Sequence, residues 1–324
     1  MDRKIGGKRN RGWGRSMRFA IRNLFRDKYG DGRFETRRTH AQRLNDFIDF
    51  LNAQGVRDLA AIKVSHVEAY ALRLREDVRT GRLKTATATN RLSSANVLFR
   101  LLNDGATTQV SARQIIGQRI SVRVDEPVGL SRVDVIAAIR GLIERGELRL
   151  AMVLAVARFA GGRFREASLL ELKKACQQAL RDGRIVIRRG SKGGRSRKLP
   201  REILASEDLR NALTEITPQI AESNLIPARM NYIQWYRRAH RTWRKYCGEF
   251  GLSSKFHELR AAYACQRYEE LTGMPAPCVK TAGIADPART LCSPMSDAEA
   301  REQIALELGH GRVQVVAAYI GAVR

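Results

Sequence analysis

Hydrophobic side chains recur with helical spacing in four separate segments of the first hundred residues. Within each segment they follow one another at intervals of three or four, over 17–25, 44–51, 67–78 and 92–102. This spacing gathers them on one helical face, which has to be buried against other helices. The links between the segments are short and contain Gly30, Gly32, Gly55 and Gly81. The sequence therefore predicts a small helical domain that ends near residue 120.

A second domain is expected after a linking segment. Residues 118–130 mix charged and β-branched residues with Pro127, as is typical of a link between domains. Ser131 followed by Asp134 then resembles the cap of a new helix. A strongly apolar helix is predicted over 148–159. We place the helical domain at 15–120 and the second domain at 127–324.

Residues 185–199 interrupt the helical pattern. Ile185, Val186 and Ile187 form a β-branched run, and three glycines nearby indicate a turn. A second short strand is expected to end at Pro200, which gives a β-hairpin with a basic tip. Helical patterns return over 233–250, over 256–271, and after the capping pair Ser296 and Glu299. The prediction is a mainly α protein whose second domain is mixed α/β with a small β-sheet.

The charge of the chain indicates a polyanionic partner. The 324 residues carry a formal net charge of +26 and a pI near 10.8. Such self-repulsion does not help folding, and nucleic acid is its usual counterpart, whether DNA or RNA. No apolar run approaches the roughly 20 residues of a membrane span, and no secretory signal is evident. We expect a cytoplasmic, nucleoid-associated protein without a membrane partner.

The five cysteines do not suggest a structural framework. Their number is odd and no two have a C-x-x-C spacing. We therefore expect neither a disulfide framework nor a zinc site. No carboxylate cluster suited to Mg²⁺ is evident either, so the sequence predicts no metal.

Residues 1–28 form a basic N-terminal arm by composition. They contain ten Lys or Arg against two Asp, and four glycines interrupt the first half. The expectation is a mobile arm along DNA phosphates, with Lys8, Arg9 and Arg11 as contacts. A tail that only keeps the protein soluble would have the same composition.

Four separated motifs in the second domain contain the residue types of phosphoryl-transfer chemistry. They are Gly161-Gly162-Arg163-Phe164-Arg165-Glu166, Gly190-Ser191-Lys192-Gly193-Gly194-Arg195, His257-Glu258-Leu259-Arg260, and Leu308-Gly309-His310-Gly311 with Tyr319 nine residues after the histidine. Arginine suits phosphate because it is always charged and its planar fork matches the phosphate oxygens. His257 and Arg260 lie one helical turn apart and can face one phosphate.

In order and spacing, this set resembles the catalytic signature of the tyrosine recombinase (phage integrase) family. The helical first domain is similar to the SAM-like core-binding domain of that family, so the resemblance covers most of the chain. It implies cleavage and rejoining of DNA strands at recombination sites in double-stranded DNA, of the integration or excision type. It also implies a dimer on each site and a tetramer in the synapse. Accessory DNA-bending proteins are further candidate partners.

The resemblance assigns a role to each residue. Arg163 and Arg260 would clamp the phosphate, with Glu166 orienting Arg163. His257 and His310 would add hydrogen bonds, and Lys192 would protonate the departing 5′ oxygen. Tyr319 would be the nucleophile and leave a 3′-phosphotyrosine. Because the bond energy is retained, neither ATP nor another cofactor is required.

Several alternatives stay open at this level. Arg165 rivals Arg163, and Arg195, Arg197 and Lys198 rival Lys192 while also being candidate DNA contacts. A type IB topoisomerase or a non-catalytic DNA-binding protein on the same fold are the alternative functions. The chain departs from the family in two respects: only five residues follow Tyr319, and residues 272–295 look like an insertion.

Overall fold

The computed structural model describes residues 8–30, 33–105, 109–191, 201–280 and 282–322. The chain divides into two compact units, Met1–Ile120 and Ser121–Arg324. The predicted fold class is confirmed: both units are helical, and the second contains one small two-stranded sheet. Within these described ranges, no helix has the length and apolar character needed to cross a membrane.

The first unit is a helical bundle whose four long helices coincide with the predicted segments. Its helices are α1 (Met17–Tyr29), α2 (Phe34–Ala53), α3 (Val64–Arg79), α4 (Thr85–Leu102) and the short α5 (Ala112–Ile115). α1 packs on α2, and α4 packs on α2 and α3. Most of the predicted apolar positions are buried, and Leu24 and Val78 are partly buried and pack against the same core.

The start of the chain departs from the expectation of a mobile arm. Asn10 and Trp13 are buried in the core of the first unit. The Asn10 N–H donates to Asp58 Oδ1 over 2.9 Å, and the Leu59 N–H donates to Asn10 Oδ1 over 2.9 Å. α1 contributes Met17 and its following apolar residues to the same core. Residues 8–28 therefore pack as part of the helical unit, because Asn10 and Trp13 find polar and apolar partners there.

The second unit is built around two helices that are buried on nearly all sides. Its helices are α6 (Arg132–Glu144), α7 (Leu148–Ala160), α8 (Phe164–Ser168), α9 (Leu172–Asp182), α10 (Glu207–Ile216), α11 (Tyr232–Tyr246), α12 (Phe256–Thr272), α13 (Asp297–Glu307) and α14 (Ala317–Ile320). α7 packs against α6, α10 and α12, while α12 also contacts α13 and α14. The predicted caps are present: Ser131 Oγ accepts from the Asp134 N–H, and Ser296 and Glu299 form a full capping box.

The hairpin has one strand displaced from its predicted position. β1 (Arg184–Ile187) and β2 (Arg201–Leu204) are antiparallel, with Ile187 opposite Arg201. The second strand thus begins directly after Pro200 instead of ending there. Proline has no N–H to contribute to a ladder, which favours a strand that starts beyond it. Residues 192–200, which include the predicted turn, lie outside the described residues.

The segment expected to be an insertion lies against α12. Its described residues, 273–280 and 282–295, contain one short 3-10 helix at Pro287–Arg289. Glu269 on α12 accepts hydrogen bonds from the N–H groups of Gly283 and Ile284. The Cys278 N–H donates to the Ile320 carbonyl over 3.0 Å. The segment is therefore attached both to α12 and to α14.

Candidate active site

Arg163 lies at the N-terminal end of α8, directly after the glycines that end α7. Its N–H donates to Glu166 Oε2 over 2.8 Å and its Nη1 to Oε1 over 2.6 Å. Burial alone would raise the pKa of Glu166, but the charges of Arg201, Arg163 and Arg260 outweigh it and lower that pKa. The ionised carboxylate orients Arg163, whose side chain remains 25% exposed.

Arg260 is buried on the second turn of α12. Its Nη1 donates to the Gly161 carbonyl, its Nη2 to the Leu308 carbonyl and its Nε to Tyr319 Oη over 3.3 Å. Gly161 has a left-handed φ of 58°, and a Cβ there would lie 2.6 Å from the ring of Tyr263. Only glycine allows this close approach. Burial lowers the pKa of Arg260 to about 10, so the guanidinium remains charged at neutral pH.

His310 and Tyr319 complete a hydrogen-bond network with Arg260. His310 Nε2 lies 3.1 Å from Tyr319 Oη and 3.3 Å from Arg260 Nη2. Because arginine can only donate, Nε2 presents its lone pair and the ring proton is assigned to Nδ1. Tyr319 Oη then accepts from Arg260 and donates to His310. Burial and the charges of Arg260 and Arg163 lower the pKa of His310 to about 4, so the ring is neutral at pH 7.

His257 also lies beside the phenol ring of Tyr319. Its ring centroid is 5.1 Å from that of Tyr319, and the His310 centroid is 5.4 Å from it. Burial and the nearby charge of Arg260 lower the pKa of His257. Two neutral histidines therefore lie beside the tyrosine. A neutral imidazole can accept a proton at its free nitrogen, becoming a cation, or donate a hydrogen bond from its N–H.

An open cleft of about 570 Å³ gives access to this cluster. Arg163, His257 and Arg260 line it together with residues of α11. Those residues are Tyr236, His240 and Arg244, which follow one another at intervals of four. The same helix buries Trp235 and Trp243, so the tryptophan rings are core residues. His240 lies outside the sequence motifs, although the i, i+4 spacing of polar and aromatic residues could have indicated this face.

A further arginine of the cluster was missed entirely. Arg201 is the first residue of β2 and is buried. Its Nη1 lies 3.2 Å from Glu166 Oε2. The sequence offers no signal for this position, because Arg201 is one of four cationic residues within 195–201. Such a run is normally a solvated surface.

The remaining predicted residues divide into two groups. Lys192, Arg195, Arg197 and Lys198 lie outside the described residues. Lys8 and Arg9 are exposed in the first unit, while Arg11 donates a hydrogen bond to the Leu102 carbonyl.

Two family models match the chain. A model described as "Integrase" matches residues 132–266, and one described as "Phage integrase, N-terminal SAM-like domain" matches residues 33–104. The two ranges together cover more than half of the chain and correspond to its two units. The chain belongs to the tyrosine recombinase family. A search among curated protein sequences found no match.

Solved structures of tyrosine recombinases have the same fold at low sequence identity. Similar structures include the Tn1549 transposon integrase in complex with transposon right end DNA (TM-score 0.58, 12% identity, 94% of each chain covered). A lambda integrase dimer bound to a COC′ core site gives a TM-score of 0.56 at 15% identity, covering 93% of this chain and 76% of that one. The XerH site-specific recombinase bound to difH gives 0.54 at 14% identity, covering 99% and 88%.

Proposed function

We propose that this tyrosine recombinase family member carries out site-specific recombination of double-stranded DNA, with Tyr319 as nucleophile. The observation that carries the proposal is the network of Arg260, His310 and Tyr319, joined through Glu166 to Arg163. These residues come from three stretches that are far apart in the chain. The network brings together two guanidinium groups, a neutral imidazole and a hydroxyl, as in-line attack on a phosphodiester requires.

The proposed cleavage step follows from the donors and acceptors of the network. Tyr319 Oη attacks the phosphorus, and its proton passes to His310 Nε2, which already accepts its hydrogen bond. The bond from phosphorus to the 5′ oxygen breaks, and Lys192 protonates that oxygen as general acid. The DNA is left joined to the enzyme through a 3′-phosphotyrosine. Attack by a free 5′ hydroxyl on this ester reverses the step and rejoins the strands.

The arginines supply the electrostatic stabilisation in this proposal. Arg163 is the more exposed of the two and can bind a nonbridging oxygen directly. Arg260 already uses its N–H groups within the protein, one of them on the Tyr319 hydroxyl. A phosphate oxygen would take over that N–H as the tyrosine turns towards phosphorus. His257 would donate a further hydrogen bond to the phosphate.

The energy and the assembly follow from the same chemistry. A phosphotyrosine ester retains the energy of the broken phosphodiester, so the proposed reaction needs neither ATP nor a metal ion. Among the similar structures are a lambda integrase dimer on a core site and a lambda integrase tetramer on a Holliday junction. We extend this to a dimer on each site and a tetramer in the synapse, assisted by DNA-bending proteins.

The test uses DNA recovered with the protein from cells, sequenced and rebuilt as a nicked suicide substrate. The wild type should give a denaturant-stable protein–DNA adduct, with or without EDTA. Tyr319→Phe should bind the DNA with unchanged affinity and give no adduct. The matched control is Tyr236→Phe, which alters the tyrosine of α11 that also lines the cleft and should retain cleavage.

Three outcomes would contradict parts of the proposal. An adduct with Tyr319→Phe would remove Tyr319 as the nucleophile, and strict dependence on Mg²⁺ would overturn the metal-free mechanism. Relaxation of supercoiled plasmid without recombinant product would favour the topoisomerase alternative. Binding with no adduct from the wild type would favour a non-catalytic DNA-binding protein.

A further inference from the structure

Arg201 is a buried cation whose hydrogen-bonding groups are almost unused. Its side chain is 7% exposed, and Nε, Nη1 and Nη2 have no hydrogen-bond acceptor among the residues that the structure describes. The 3.2 Å approach of Nη1 to Glu166 lacks hydrogen-bond geometry. A buried charge in this condition destabilises a fold, because its lost hydration is not replaced. Its presence therefore calls for an explanation other than stability.

The surroundings of Arg201 belong to the candidate active site. Glu166 Oε2 lies 3.2 Å from Arg201 Nη1 and 3.9 Å from Arg260 Nη1, and Glu166 Oε1 pairs with Arg163. One carboxylate thus lies within ion-pair distance of three guanidinium groups. Gly309, next to His310, makes room for the side chain: a Cβ there would lie 2.9 Å from Arg201 Cδ and 3.8 Å from Arg163 Nη1.

The charges of this cluster do not cancel. Three guanidinium groups and one carboxylate leave a net charge of +2 within the described residues. His310 is neutral at pH 7 before attack and takes up the tyrosine proton in the proposed step. A phosphodiester carries one negative charge, whereas the five-coordinate phosphorane formed by attack of a tyrosinate carries two. A fixed positive charge beside the phosphate therefore stabilises the phosphorane more than the diester, and Arg201 supplies one such charge.

We infer that Arg201 is a positioning residue that acts through Glu166 and adds a positive charge to the Arg163–Arg260 clamp, which stabilises the phosphorane more than the diester. This inference rests on the proposed function. Arg201 is too buried to touch DNA. It holds the Glu166 carboxylate between the two clamp arginines and supplies a positive charge whose stabilising effect grows as the phosphorane forms. It therefore contributes to the rate of cleavage and not to DNA affinity, because only interactions stronger in the transition state accelerate the chemical step.

The experiment compares Arg201→Met and Arg201→Lys with the wild type on the suicide substrate. Arg201→Met should lower the single-turnover cleavage rate about tenfold or more, the size of effect seen for residues that orient metal ligands. The Kd for the same DNA should change by less than about twofold. Arg201→Lys restores the charge and should recover most of the rate.

A matched control comes from Arg158, which is also fully buried. Arg158 donates to the carbonyls of Gly129 and Leu130 and to Gln266. Its hydrogen bonds are satisfied, so Arg158→Met should lower the melting temperature clearly. Arg201→Met removes an unsatisfied charge and should leave the melting temperature unchanged or raised. A loss of stability like that of Arg158→Met, or failure to fold, would make Arg201 a structural anchor and overturn the inference.

Rescue by lysine separates the proposed role from simple packing. A wild-type single-turnover rate for Arg201→Met, or a loss of rate that Arg201→Lys does not recover, would overturn the inference. Absence of a Tyr319-dependent adduct from the wild type would instead reject the proposed function.

Discussion

The two units of this protein bury different kinds of polar group. Among the described residues, the buried polar side chains of the first unit are all neutral: Asn10, Asn23, Ser94 and Asn96. The second unit buries charged side chains in number: Arg158, Glu166, Arg201, Arg260, Arg267, Glu269, Glu270, Asp286, Arg301 and Glu307. Asn96 Nδ2 donates to the Val110 carbonyl and Asn96 Oδ1 accepts from the Val110 N–H. A buried amide with both groups satisfied in this way attaches a loop to a helix at little cost in free energy. Buried charges are costly unless paired.

The cores of the two units therefore differ in what they do. In the first unit, apolar faces supply the stability and the charged side chains stay at the surface. In the second unit, buried charges attach the 273–295 segment to α12 and assemble the candidate site. Stability and chemistry should therefore respond differently to substitutions in the two units.

The largest expected effect is on the stability of the first unit. Trp13→Ala removes a buried indole that packs edge-on against Phe19 and should cost about 3 kcal/mol or more of unfolding free energy. Hydrogen–deuterium exchange should accelerate in peptides of α1–α4 and stay unchanged in α7. Trp13→Phe serves as the control and should lose much less. Unchanged exchange with Trp13→Ala would show that the packed start of the chain adds no stability.

The next effect is on chemistry alone. Arg163→Lys keeps the charge but loses the planar fork that Glu166 orients. The single-turnover rate should fall about a hundredfold, as at other oxyanion sites, while exchange in both units stays as in the wild type. Arg165→Lys, which alters the neighbouring arginine, is the control and should cleave normally. If Arg165→Lys lost cleavage activity and Arg163→Lys retained it, Arg165 would be the clamp residue.

Acid should weaken the second unit through His310. Burial and the adjacent arginines lower the folded pKa of His310 to about 4, against about 6.5 when unfolded. As pH falls below about 6.5, the unfolded chain binds this proton first, so stability declines progressively until the folded pKa is reached. Thermal melts between pH 7 and pH 4 should show this decline, reduced in His310→Gln. An identical pH slope in the variant would mean that His310 titrates normally.

The smallest effect concerns surface charge on the first unit. Lys8→Gln with Arg9→Gln removes two exposed cations from its N-terminal end. If both contact phosphates, the slope of log K against log salt should become shallower by about 2, for all DNA sequences alike. Arg79→Gln with Arg82→Gln is the matched control. These arginines already pair with Glu76 and Asp77, so their loss should leave the slope unchanged, and equal slopes for both double variants would exclude a DNA role for Lys8 and Arg9.

The accuracy of the sequence-based predictions follows the same division. The helices of the first unit were located correctly, because the spacing of apolar residues along an amphipathic helix indicates which face is buried. The candidate site was recognisable because its motifs combine rare residue types in order. The role of Arg201 was not recognisable. Its burial depends on the register of the hairpin and on the space left by Gly309, which is more than a hundred residues away in the chain. The strand boundary at Pro200 was misplaced for a related reason: turn length does not appear in local composition.

The hydrogen bonds that attach α14 bear on which subunit can supply the tyrosine to a given site. Cys278 holds the Ile320 carbonyl, and Arg301 donates to the carbonyls of Gly321 and Ala322. Moving Tyr319 into a neighbouring molecule would break all these bonds as well as those to Arg260 and His310. A protomer that keeps them can offer its tyrosine only to the arginines of its own chain. Two subunits with different inactivating lesions, one at the tyrosine and one at the clamp, could not then complement each other in a mixed assembly.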